Sequence, residues 1–208
     1  MNEVKPTIGF VEKTKMGAVY DALRFVLPAV SIDETRYFMN GVHVERTSEK
    51  RKKVIKLVGA DGRRLHLASI PASEDGTDGI PEDGTWIVEK TKSGYAFIKQ
   101  AGGTYPKWRK VVPDLTPAQF TFEAGRYRQN CTHPVSMQIA KLFIAARVLL
   151  NLPFVFDICN ASITYAVCWE EKRQRPVDGI EYLSSAVRFD ADHRGYHRTA
   201  VIMPMVGV

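Results

Sequence analysis

The sequence predicts an α+β fold in which a small number of helices accompany many antiparallel strands. Two observations carry this. Short runs of alternating apolar and polar residues, bounded by Gly, Pro and charged clusters, recur along the chain. Only two segments show the 3.6-residue period of an amphipathic helix. A third observation orders them: each half reads strand, helix, then several strands, with no repeat of residue identity.

The first strand is "TIGFVEKT". A helix over 15–27 follows, because Met16, Val19, Tyr20, Leu23 and Val26 share one face while Lys15, Asp21 and Arg24 lie off it. Pro28 stops it. "RYFMNGVHVERT" and "KKVIKLVGAD" read as strands, the former alternating Val42 and Val44 with His43 and Glu45. The polar "SEKRK" between them is a turn, and "RRLHLASIP" is the next strand. "ASEDGTDGIPEDG" is acidic and rich in Gly, hence a loop. "TWIVEKTK" and "GYAFIKQ" form a hairpin around Ser93-Gly94, and "GTYPKWRKVVPDLTP" is an extended connector. In the second half, "AQFTFEA" is a strand and 134–150 a helix. Pro134 lies near its first turn, and Val135, Ile139, Leu142, Phe143, Ala146 and Leu150 form its apolar stripe. "PFVFDICNA", "ITYAVCWEE", "SSAVRFDA" and "YHRTAVIMPM" are four further strands.

Composition bounds the function. The chain has 208 residues, enough for one or two domains with a real core. No apolar run is long enough to span a bilayer, and "MNEVKPTIGF" lacks the layout of a signal peptide, so no membrane association and a cytoplasmic location are expected. Cys131, Cys159 and Cys168 are odd in number and scattered, which fits a reducing compartment and argues against a zinc or disulfide framework. The net charge of +6 is compatible with a nucleic-acid partner.

No GxxxxGK, GxGxxG or GxSxG motif is present, and no cofactor is expected. His193 and His197 flank "RGY", a turn rather than a helix face, so exposed loop histidines are expected there rather than metal ligands. Cys131 and His133 lack further ligands nearby, and Asp61, Asp157 and Asp190 form no catalytic pair in sequence. The chain is therefore read as a non-enzyme, with a catalyst on an unrelated α+β fold as the remote alternative. Two features keep two readings each. The basic run from Lys50 to Lys53 is a solvated hairpin tip or a phosphate contact; it has no interleaved aromatic for base stacking. The terminal "AVIMPM" is a last core strand or the wall of a ligand pocket.

Four stretches in order resemble one family, the bacterial sliding clamp or beta subunit of DNA polymerase III. They are "ETRYFMNGVHVE" (34–45), "ADGRRLHLASIP" (60–71), "YPKWRKVVP" (105–113) and the final "AVIMPM" (200–205). The resemblance implies a DNA-clamp (processivity) fold with helices on one face of curved antiparallel sheets. It divides the chain into a domain at 1–113, similar to the clamp's middle domain with its second half abbreviated, and one at 114–208, similar to the last. No counterpart of the clamp's first domain is present, and no helix is found between Pro71 and Lys99, where the family carries one. Arg63 and Ala60 stand where the family has His and Thr.

The implied function is a processivity factor that encircles duplex DNA without sequence preference. It would tether a DNA polymerase and clamp loader through their short linear motifs. The alternative is a clamp-derived adaptor or decoy that keeps the peptide pocket and encircles nothing. The implied pocket is Met39, Gly62, Arg63, Arg64, Leu65, Pro106, Lys110, Val111, Val201, Met203, Pro204 and Met205. Methionines adapt to several apolar ligands, and a concave apolar wall with a polar rim suits such a motif. The implied DNA contacts are Lys13, Lys15, Arg24, Tyr37, Lys141 and Arg147. Six domains close such a ring, so two per chain imply a homo-oligomer, most simply a trimer.

Overall fold

The structure, a computed structural model, describes residues 7–14, 17–73, 78–100, 102–112, 120–123, 162–167 and 187–202. The chain divides into two compact units. Met1–Asp61, Leu65–Pro106 and Asp192–Arg198 form the first; Gly62–Arg64, Lys107–Ala191 and Thr199–Val208 form the second.

In the first unit six antiparallel strands run in the order β1-β6-β5-β2-β3-β4. They are β1 (Thr7–Glu12), β2 (Val42–Glu49), β3 (Lys52–Ala60), β4 (Arg64–Pro71), β5 (Gly84–Lys90) and β6 (Gly94–Lys99). One helix, α1 (Gly17–Val26), buries Val19, Ala22, Leu23, Phe25 and Val26, matching the expected apolar face. It ends where Leu27–Ala29 tightens into a 3₁₀ turn around Pro28, closed by a Val30 N–H bond to the Leu27 carbonyl at 3.0 Å. Gly59 on β3 lets the end of α1 approach. An added Cβ would lie 2.7 Å from the Val26 carbonyl oxygen and 3.1 Å from side-chain carbons of Val26 and Val30.

The strand expected from Arg36 begins only at Val42. Glu34–Met39 is instead a 3₁₀ segment kinked at Arg36. Asp33 caps it: its Oδ1 accepts from the Thr35 N–H at 2.9 Å and the Thr35 hydroxyl at 2.7 Å. This local capping outweighs the β preference of the Tyr-Phe pair. From Val42 the expected alternation holds, with Val42 and Val44 buried and His43 and Glu45 half-buried. The β2–β3 register runs from His43↔Val58 to Glu49↔Lys52, so the turn is narrower than "SEKRK" suggests. Only Lys50 and Arg51 lie outside the ladder, both left-handed at φ 47° and 67°. Tight hairpins require that geometry, and glycine or asparagine usually supplies it. For other L-residues it costs about 1 kcal/mol each.

β4 is buried on both faces, with Leu65, His66, Leu67, Ala68 and Ile70 all enclosed. The acidic loop after it is pinned by Arg46, whose guanidinium donates to the carbonyls of Pro81 at 2.8 Å and Ile80 at 3.0 Å. Its backbone N–H also donates to Asp83 at 2.9 Å. β5 and β6 form the expected hairpin. The Thr91 N–H donates to the Gly94 carbonyl at 2.8 Å, and the Gly94 N–H donates to the Thr91 hydroxyl at 3.0 Å. No helix occurs between Pro71 and Lys99 among the described residues.

In the second unit β7 (Phe120–Glu123), β8 (Ser162–Val167), β9 (Val187–His193) and β10 (Tyr196–Ile202) follow one another antiparallel in the order β10-β9-β8-β7. The tip of the β9–β10 hairpin, Asp192–Arg198, belongs to the first unit. The connector is not wholly extended, because Trp108–Val111 forms a 3₁₀ turn around buried Trp108. The expected helix at 134–150 and strand at 153–161 lie outside the described residues.

Candidate peptide-binding and DNA-contact residues

Within the first unit, the 3₁₀ turn and the end of β3 are tied together: Arg36 donates through Nη1 to the Asp61 carbonyl at 2.8 Å. Met39, at the end of that turn, is buried and its carbonyl accepts from the Ser31 N–H at 3.3 Å. Leu65 is buried opposite Ala60 on β3, and Pro106 is half-buried. Tyr37 is 55% exposed, packs edge-on to Phe38 at 5.8 Å, and receives a hydrogen bond on its carbonyl from the Gln100 amide. Gly103 passes close to Phe38 and Tyr37, leaving no room for a side chain there.

In the second unit, Gly62 adopts φ 85°, which a glycine tolerates at the β3–β4 connection. Arg63 is exposed and Arg64 half-buried. Lys110 and Val111 project from the connector turn, Val111 with 43% of its surface exposed; the Arg109 guanidinium lies 4.5 Å from the Trp108 ring centroid beside them. Val201 is buried. The expected pocket residues thus split into buried Met39, Leu65 and Val201 and accessible Gly62, Arg63, Arg64, Pro106, Lys110 and Val111. Met203, Pro204 and Met205 lie outside the described residues, as do Lys15, Lys141 and Arg147.

Of the expected DNA contacts, Lys13 is exposed beside the β5–β6 turn, its N–H donating to the Ser93 carbonyl at 2.9 Å. Arg24 is accessible on α1, but its charge is partly offset by Asp21 at 3.9 Å. Asp21 also holds Arg194 at 2.8 Å, a link between helix and hairpin tip that sequence spacing could not reveal. Sequence reading also missed Ile32, which is 96% exposed just before the Glu34–Met39 turn. Its only signal is an isoleucine set in a polar, aperiodic stretch.

The histidines differ from expectation. His193 and His197 sit on β9 and β10 rather than in a loop, flanking a two-residue turn at Arg194 and Gly195. Both are half-buried, and His197 Nδ1 lies 2.8 Å from Asp192. Burial lowers the His193 pKa, assisted by the nearby charges of Arg198 and Arg194. Deeper in, Arg198 is buried between rings, 5.2 Å from the Phe25 centroid and 4.8 Å from that of Tyr196, and donates to the Tyr196 hydroxyl at 2.7 Å. Burial pushes the Tyr196 pKa up to about 12. His66 stacks on Phe25 at 4.6 Å, its Nδ1 2.6 Å from the Phe25 carbonyl. In the second unit Asp190 takes both Arg188 nitrogens, at 2.8 and 3.0 Å, and the Thr199 hydroxyl at 2.6 Å. These networks brace each unit from within. Among the described residues no group of three His, Cys, Asp or Glu side chains could hold a metal ion, and no helix is long and apolar enough to cross a membrane.

No protein-family model matches the chain. The beta sliding clamp of Caulobacter vibrioides (strain NA1000 / CB15N) is 32% identical over 115 residues, which cover 55% of this chain and 28% of that relative. Solved clamp structures resemble it in fold, in alignments that cover the chain. The DNA polymerase sliding clamp from Caulobacter crescentus has a TM-score of 0.56 at 15% identity, with 67% of its own chain covered. The DNA polymerase III beta chain of Streptococcus pneumoniae TIGR4 has a TM-score of 0.53 at 12% identity, again with 67% covered. The match therefore spans just over a quarter of the curated relative and about two thirds of the solved clamps. By local sequence over 115 residues and by fold, the chain is similar to the bacterial beta sliding clamps.

Proposed function

We propose that this chain is a cytoplasmic, non-enzymatic processivity factor that encircles duplex DNA and tethers polymerase and loader to it. The observation that carries this is the coincidence of 32% identity to a beta sliding clamp over 115 residues with a likeness in fold to solved sliding clamps. On this reading 1–113 and 114–208 are two clamp-like domains. Partners insert a short apolar motif against Leu65, Val111 and Val201 together with Met203, Pro204 and Met205. Arg63, Arg64 and Lys110 hydrogen-bond its backbone or rim.

A ring needs more than one copy, and the strand order supports edge pairing. Among the described strands, β1 ends the sheet of the first unit and exposes Ile8 and Phe10, while β7 ends that of the second. An edge of this kind invites a partner strand. Three copies would close six domains. The test is retention on DNA: protein loaded on a nicked circular duplex should stay bound through gel filtration and be lost when the circle is linearised. Equal loss from circular and linear DNA would exclude encirclement and leave an adaptor.

A further inference from the structure

We propose that the β2–β3 hairpin tip is a second nucleic-acid contact, an arm that grips duplex phosphates independently of any ring. Lys50, Arg51, Lys52 and Lys53 are consecutive and exposed. The register puts Lys52 opposite Glu49 and Lys53 opposite Ser48, with Lys50 and Arg51 at the apex. A two-residue turn with both residues left-handed favours Asn-Gly, yet this one carries two long cations at φ 47° and 67°. The sequence thus places charge where conformation argues against it.

The local acids are already engaged. Glu49 pairs with Lys56 at 2.6 Å, and Arg46 takes Asp83 at 3.3 Å and Asp78 at 4.0 Å. Among the described residues none of the four tip side chains pairs with a carboxylate. The base of the arm is firm, since Val44, Ile55 and Leu57 are buried and seven residue pairs join the strands. The chemistry of the tip selects the ligand. Arg forks and Lys ammonium groups suit phosphate oxygens. The absence of Phe, Tyr, Trp and His from 45–57 removes the stacking platforms that single strands need, which leaves the duplex backbone, read without sequence preference.

The test uses a short linear duplex, which cannot trap a ring, so its outcome is separate from that of circular-DNA retention. The full chain is titrated by fluorescence anisotropy with 30-base-pair duplexes of two unrelated sequences, across a salt series. Lys50→Asn/Arg51→Gly removes two charges and supplies the preferred turn, so the fold is retained or strengthened. Lys52→Gln/Lys53→Gln removes the other pair. Wild type should bind both sequences alike. Each double variant should lose about fivefold or more in affinity, with the slope of log K against log salt falling by about 2, from roughly 0.9 per phosphate contact. Unchanged affinity and slope in both variants would overturn the proposal. So would failure of wild type to bind the duplex at low salt, or tip-dependent binding to phosphatidylserine vesicles without duplex binding.

Discussion

Gly59→Ala probes the contact that seats α1 on the sheet. The new methyl would meet the Val26 carbonyl oxygen at 2.7 Å and two valine methyls at 3.1 Å. The carbonyl belongs to the backbone at the end of α1 and cannot swing aside as a side-chain tip would. Val26 is fully buried, so the helix end must lift away from β3. Overpacking of this kind costs about 1–3 kcal/mol. Replacing glycine returns about 0.4–1 kcal/mol through the unfolded chain, leaving a net loss of about 1.3 kcal/mol at mid-range and up to about 2.6 kcal/mol. For a chain of this size, each kcal/mol lowers Tm by about 2–4 °C. Calorimetry of the variant beside wild type measures it, with Gly17→Ala as control. Gly17 has nothing within 4 Å of an added Cβ, and alanine there should be neutral or stabilising. A Gly59→Ala protein as stable as wild type would refute the packing argument.

Arg46→Ala should cost about 1 kcal/mol, and amide exchange should rise at 78–83 while β6 stays protected, because Arg46 holds that loop by its carbonyls. The His193 pKa is lowered on folding, so the unfolded state binds the extra proton. Its contribution to stability is present above the ordinary imidazole range and is lost as pH falls through it. His193→Gln should therefore flatten the decline in urea midpoint between about pH 7 and pH 5; an unchanged slope would count against it. Deleting 203–208 should abolish binding of an aromatic-anchored clamp-binding peptide, a loss of about 2 kcal/mol or more in a titration. Intact binding would remove the terminal methionines from the pocket.

Much of the first unit was legible in the sequence because its signals are local. The α1 face and the alternation in β2 follow from periodicity, and the β5–β6 turn from Ser93-Gly94. The 3₁₀ segment at 34–39 was misread as strand because the Asp33 cap, a single side chain, outweighs the preference of two aromatics. The placement of His193 and His197 on strands depends on a turn of only two residues, with Arg194 left-handed at φ 44°. Long-range partners were invisible. Asp21 and Arg194 are 173 positions apart, and nothing in their local sequence announces the pair. Of the candidate site, the order of the four motifs was readable, whereas the burial of Met39, Leu65 and Val201 emerges only from packing.

Encirclement is tested most directly by the mass in solution, measured by sedimentation equilibrium at micromolar concentration. A closed ring of two clamp-like domains per subunit requires three 23.4 kDa chains in one particle. A stable trimer that does not dissociate on dilution through that range is the expected result. A monomer of 23.4 kDa across the same range would contradict the ring.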